Sequence, residues 1–246
     1  MIQDLHSHTY YSFCSEDHPE DVVKAAIDGK IEVLGINDHN YGIAHGRTSV
    51  LFSKDKDLFS DYVKTLLRYR DHIDLVAQKY ADKIRVLKGV ELCTSAVGER
   101  FPFPTENDIS FFDYALIEHL DVADSVMKGD LFSYAKNINC TLGVAHTDIF
   151  GFCKNNSIDP LEYFSQMAER GIFWEMNVNY DSIHRYHEHE YVKKFFTDEK
   201  QQEIIKKSGV KLSVGFDGHR VHDYCPERII NACKKINELK IPLVFE

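Results

Sequence analysis

The chain has 246 residues, of which 39 are acidic and 29 basic, for a formal net charge of −10. That balance disfavours binding along nucleic acid, which needs a basic surface to release counterions. With 43% apolar residues and no apolar run near bilayer length, the chain is not expected to cross a membrane as a helix.

The length suits one domain spanning 1–246. Met1-Ile2-Gln3-Asp4-Leu5-His6 lacks the basic, apolar and small-residue sections of a secretory leader, so a cytoplasmic protein is expected. Cys14, Cys93, Cys140, Cys153, Cys225 and Cys233 form no C-x-x-C pair and are expected as reduced thiols.

In chain order, Ile2–Leu5 is a short apolar run suited to a buried strand, and it stops at His6-Ser7-His8. A helix is expected over Glu20–Gly29, with Val22, Val23, Ala26 and Ile27 on one face. The strand Ile31–Ile36 leads to Asp38 and His39, and after a helix over Tyr62–Tyr80 the strand Ile84–Val90 leads to Glu91. Gly98-Glu99-Arg100-Phe101-Pro102-Phe103-Pro104 predicts an irregular rim. Strands Tyr114–Ile117 and Leu142–Ala145 precede His119 and His146. A helix over Asp159–Arg170 is followed by a strand Ile172–Met176 that carries Glu175 and runs to Asn177. The loop Asp181–Tyr191 holds His184, His187 and His189, which read as a polar substrate loop ahead of an additional metal position. Tyr180 and Tyr186 are placed there to stack on a ring or to pack the loop. A helix over Glu199–Ser208, a strand Val210–Val214 leading to Asp217 and His219, and a helix over Pro226–Leu239 complete the chain.

Strands alternating with helices, and continuously apolar where they are buried, imply a parallel α/β sheet. Each of the seven expected strands ends in a ligand-type residue and none begins with one. An open sheet would splay its outer strands apart, whereas a closed barrel gathers every carboxyl end at one mouth. The expected fold is therefore a distorted TIM-like barrel of seven strand-helix units.

A lone histidine is more often a hydrogen-bonded core residue than a ligand, and H-x-H alone is weak evidence. Six histidines and two carboxylates at successive strand ends are harder to bury without a counter-charge. The period of two puts His6 and His8 on one face, and Asp217-Gly218-His219 repeats the spacing, with Gly218 allowing a close backbone approach. Glu91 offers two oxygens, enough to bridge two cations. Imidazole with carboxylate suits zinc, manganese or iron better than magnesium or calcium.

Asp4-Leu5-His6-Ser7-His8-Thr9, Gly35-Ile36-Asn37-Asp38-His39-Asn40, Gly89-Val90-Glu91, Glu118-His119, Ala145-His146 and Gly215-Phe216-Asp217-Gly218-His219 occur in that order. This set resembles the PHP family, named for polymerase and histidinol phosphatase, from His6 to His219. The resemblance implies a distorted seven-stranded barrel and two to three divalent ions (Zn, Mn or Fe). One ion would sit on His6, His8, Glu91 and Asp217, with Glu91 bridging to a second on His119 and His146. A third would take His39 and His219. Where relatives commonly carry His or Asp as the remaining ligand, this chain has Cys14, with Glu16, Asp17 and His18 as alternatives. Asp38 is read as a group that orients a ligand imidazole.

Adjacent cations suit phosphoester hydrolysis, and no G-x-S-x-G elbow or P-loop suggests another route. Asp217 or His219 would assist proton transfer, and Arg220 and Arg185 match the regions where histidinol-phosphatase-like members bind phosphate. The expected activity is hydrolysis of a small phosphate monoester, with histidinol phosphate the leading candidate. The alternatives are a phosphodiesterase or nucleotide-processing enzyme, a non-catalytic metal-binding module and a general amidohydrolase.

Overall fold

The structure, a computed structural model, describes residues 1–44, 56–97 and 100–246, with backbone only for 56–61. Gly98 and Glu99 of the expected rim lie outside the described residues. Seven strands form one sheet in sequence order: β1 (Gln3–Asp4), β2 (Val33–Ile36), β3 (Arg85–Leu92), β4 (Tyr114–Ile117), β5 (Thr141–Val144), β6 (Phe173–Asn177) and β7 (Leu212–Gly215). Every adjacent pair is parallel. The ends of the sheet meet. Leu5 N donates to Val214 O at 2.8 Å, and His8 N donates to Gly218 O at 2.8 Å. A parallel bridge between Ser7 and Gly218 carries this junction up to the mouth. The result is the nearly closed α/β barrel expected from the strand ends.

Among the described residues, the α-helices are α1 (Pro19–Asp28), α2 (Asn40–Ile43), α3 (Lys56–Lys79), α4 (Leu131–Ala135), α5 (Ile149–Asn155), α6 (Pro160–Glu169), α7 (Glu190–Phe195), α8 (Glu199–Ser208) and α9 (Pro226–Glu238). Local chemistry sets their ends. Pro19 and Pro160 open α1 and α6, where a missing amide proton costs nothing. Asp159 accepts from Glu162 N, and Gly209 closes α8 at φ 74°. The short helices α2, α4, α5 and α7 were not anticipated, because one or two turns give too few apolar repeats to show a period. Among the described residues, no helix is long and apolar enough to cross a membrane.

Two apolar regions result. Helices cover the outside of the strands, while Leu5, Val33, Leu87, Tyr114, Leu116, Ala145, Phe173 and Val244 fill the lower half of the barrel. Tyr114 crosses the interior and donates its hydroxyl to Leu5 O at 2.8 Å. Gly35 makes room for it, since a Cβ there would stand 1.9 Å from the Tyr114 oxygen. The C-terminal segment seals the floor, with Val244 N donating to Leu212 O at 2.8 Å.

β3, β6 and β7 run further into the mouth than their apolar runs indicate. Glu91 lies inside β3 and Glu175 and Asn177 inside β6, because neighbouring backbones keep pairing there: Glu91 with Leu116, and Asn177 with Gly215. Polar side chains that interrupt the hydrophobic pattern are therefore held by the ladder itself.

Candidate metal centre

His6 and His8 meet above the floor with their Nε2 atoms 3.2 Å apart. Each ring's proton is committed elsewhere. His6 Nδ1 donates to Glu175 Oε1 at 2.7 Å. Ser12 gives its own proton to Asp38 Oδ1 at 2.7 Å, so its oxygen accepts from His8 Nδ1 at 3.2 Å. Neutral rings would face each other with two bare lone pairs among further acceptors; burial opposes charge on His6, but Glu175, Asp217 and Glu91 raise it well above the usual imidazole range, so in the metal-free protein a proton supplies the missing charge. Asp217 Oδ1 lies 3.1 Å from His8 Nε2 and 3.4 Å from His6 Nε2, and both Glu91 oxygens stand 3.5 Å from one of the two rings. Such a group of acceptors is unstable without positive charge at its centre. The expected role of Asp38 takes the form of a relay through Ser12 rather than a direct contact with the ring.

His39 Nδ1 is 2.8 Å from Glu91 Oε2, yet neither atom has a directed hydrogen bond among the described residues. His8, Cys14, His39 and His219 each offer a ligand atom within 4.8 Å of the others. His219 Nδ1 donates to the Asp217 carbonyl at 2.8 Å, which leaves its Nε2 free for that group. Of the alternatives to Cys14, Asp17 accepts from Val221 N at 2.7 Å, Glu16 faces Arg220 at 4.0 Å, and His18 packs edge-on against Tyr10. Cys14 is the residue that joins the cluster.

His146 joins from β5, with Nε2 3.1 Å from Glu91 Oε1. His119 is turned differently. Its ring centre lies 6.5 Å from that of His146, its Nδ1 faces Glu118 Oε1 at 3.3 Å, and Arg100 reaches its Nε2 at 3.2 Å. It thus groups with Cys93 and Glu118. His119, His146 and Asp217 all have positive φ (63°, 25° and 55°), which costs about 1–3 kcal/mol each. The left-handed turn falls on Asp217 rather than Gly218, whose amide instead donates to His6 O at 3.2 Å and helps to close the barrel.

The electrostatics follow from this crowding. Burial would raise Glu91, but His39 and His6 hold it well below the usual carboxylate range. Asp217 behaves alike through His6 and His219. Burial opposes charge on His146 and His219, yet Glu91 lifts the first to about 9 and Asp217 the second to about 10. His8 is pushed down to about 3 by burial and by His219. Cys14 would rise with burial, but hydrogen bonds to His219 and His39 lower it. Protons here occupy positions that cations can take.

The two arginines lie at the edge. Arg220 donates to Ser182 Oγ at 3.3 Å beside the mouth, whereas Arg185 is exposed on its loop at φ 53°. Tyr180 and Tyr186 pack on each other with ring centres 5.4 Å apart, and Arg228 covers Tyr180. His187 is exposed. His189 stacks on His146 at 6.2 Å, and burial together with His146 lowers it to about 4. His184 reaches the centre, its Nε2 3.3 Å from Asp217 Oδ2 and its Nδ1 2.7 Å from Asp181 Oδ1. Burial would raise Asp181, but the hydrogen bonds from His184 and the nearby His219 ring hold it well below the carboxylate range. Sequence reasoning did not assign Ser12, Cys93, Arg100, Glu118 or Asp181 to the site and gave Glu175 no role. Glu175, at a strand end, and Glu118, within the Glu118-His119 motif, carried a visible signal.

A parallel barrel whose mouth collects converging imidazoles and carboxylates defines a class of metal-binding barrels. The chain belongs to the PHP domain family, whose sequence profile matches residues 4–220. A solved structure similar to it is the histidinol phosphate phosphatase of Lactococcus lactis complexed with zinc, L-histidinol and phosphate. The two share 16% identity and a TM-score of 0.57, over 98% of this chain and 95% of that one. A candidate histidinol phosphatase from Listeria monocytogenes matches with 15% identity and a TM-score of 0.51, over 90% of this chain and 96% of that one. At such identities the likeness is one of fold. No curated protein matches the sequence.

Proposed function

We propose that the chain is a metal-dependent phosphomonoesterase acting on a small metabolite, with histidinol phosphate as the leading substrate. The observation that carries this reading is the convergence of the Nε2 atoms of His6 and His8, 3.2 Å apart, with carboxylate oxygens of Asp217 and Glu91 at 3.4 and 3.5 Å. Separations near 3.3 Å are those between neighbouring ligands around a zinc-sized ion with legs of about 2.0–2.2 Å. His6, His8, Glu91 and Asp217 would hold one ion, His146 would share Glu91 with a second, and His39, His219 and Cys14 would hold a third. Bound there, divalent cations supply charge to the phosphoryl oxygens and acidify the attacking water.

The chain's own residues do the rest. Glu175 and the Ser12–Asp38 relay fix the tautomers of His6 and His8, and the Asp217 carbonyl fixes that of His219. Arg220 offers a guanidinium fork at the rim to a phosphate, and the exposed Arg185 would be the second phosphate contact. Cys14 brings a sulfur donor to the third position, favouring zinc or iron over harder ions. The name of the Lactococcus protein suggests histidinol phosphate as the first substrate to assay.

The test is phosphate release by the zinc- and manganese-loaded protein from histidinol phosphate and a panel of monoesters and diesters. Turnover of a monoester is expected. Hydrolysis of diesters alone would move the reading to a phosphodiesterase, and turnover of none would reject it.

A further inference from the structure

Asp217 has two carboxylate oxygens, and the centre described above uses one. Oδ1 faces His8 and His6, whereas Oδ2 is 3.3 Å from His184 Nε2. Asn177 approaches the same oxygen only at 3.5 Å. The loop after β6 brings His184 there through Asp181, which lies at the barrel mouth and is almost fully buried. Asp181 Oδ1 takes two hydrogen bonds from one residue, the His184 amide at 2.8 Å and the His184 ring Nδ1 at 2.7 Å. Backbone and ring are therefore locked together.

This arrangement fixes the tautomer. With its proton held on Nδ1 by a carboxylate, a neutral His184 presents a bare lone pair at Nε2. That lone pair points at a carboxylate oxygen, so two acceptors face each other. A carboxylate holding the far nitrogen of an imidazole is also how proteins orient and strengthen metal-ligating histidines. The separation of 3.3 Å is close to the edge of a tetrahedron around a zinc-sized ion, as is the 3.2 Å between His6 and His8.

Independent support comes from Asp181 Oδ2, a buried oxygen without a directed hydrogen bond among the described residues. It turns toward His219 Nδ1 at 3.7 Å, so Asp181, His184 and His219 form a compact ligand-type cluster beside Asp217. The ring of His184 remains partly exposed, which leaves coordination positions open to water or substrate.

We propose that His184 is a further metal ligand: its Nε2 and Asp217 Oδ2 share a divalent cation, with Asp217 bridging to the ion on His6 and His8. Asp181 is its positioning residue. This rests on the mouth being a metal centre, and it changes the role expected for the loop, from substrate contact to ligation by one of its three histidines.

The experiment is zinc counting and chelator competition on the purified full chain. His184→Gln should lose one zinc per chain, or bind its weakest zinc at least about tenfold less tightly, while His187→Gln, exposed on the same loop, should match the wild type. Asp181→Asn should weaken the same ion about 10–100-fold and still fill it at saturating zinc. An unchanged zinc count and affinity in His184→Gln would overturn the proposal. If the variants do not fold, the ¹⁵N resonance of His184 Nε2 in the wild type decides. A shift on zinc titration supports ligation, and an Nε2 that stays protonated refutes it. A wild type that binds no zinc would instead reject the metal-centre reading itself.

Discussion

The barrel interior has two halves that are built on opposite principles. Below, Leu5, Val33, Leu87, Tyr114 and Phe173 pack as an apolar floor, and the polar group among them, the Tyr114 hydroxyl, is satisfied by Leu5 O. Above, equally buried His6, His8, Glu91 and Asp217 crowd two imidazoles and two carboxylates around one point. The same strands supply both halves. The floor is stable as it stands, whereas the mouth carries a charge problem that a cation would resolve, so stability and function separate along the barrel axis.

That separation can be broken from either end. Asp217→Ala should have the largest effect, abolishing phosphate release while circular dichroism shows the barrel retained. Retained activity would remove Asp217 from the centre. Tyr114→Ala should do the reverse, lowering the unfolding free energy by about 3–5 kcal/mol in chemical denaturation without changing the zinc content. A loss of zinc in that variant would mean that floor and mouth are not independent.

Glu175→Gln probes the seam between the halves. It keeps the volume but no longer holds the His6 proton as a charged acceptor, so metal affinity or activity should fall about 10–100-fold. The smallest effect is a pH dependence. Folded-state values of about 9 for His146 and about 10 for His219 mean that both rings carry protons at pH 7 in the metal-free protein. Zinc must displace those protons, so calorimetry in buffers of different ionisation enthalpy should show proton release at pH 7. Apparent affinity should rise with pH until the rings are neutral, and a pH-independent affinity would contradict the raised values of His146 and His219.

The halves also differed in how clearly the sequence announced them. The floor and strand order were legible because buried parallel strands leave apolar runs, and H-x-H with D-G-H marked two strand ends outright. The relays were not. His6 meets Glu175 across 169 positions and His8 reaches Asp38 through Ser12, pairings that no local spacing encodes. His119 was expected beside His146, but the chain turns at φ 63° and aims its ring at Glu118. His184 was one of three loop histidines of equal appearance until its bonds to Asp181 singled it out.

The most direct measurement is anomalous diffraction at the zinc edge from zinc-soaked crystals of the full chain. The account predicts a peak between His6, His8, Glu91 and Asp217, with at least one more among the surrounding histidines. A mouth without peaks, in crystals that bind zinc elsewhere, would contradict it.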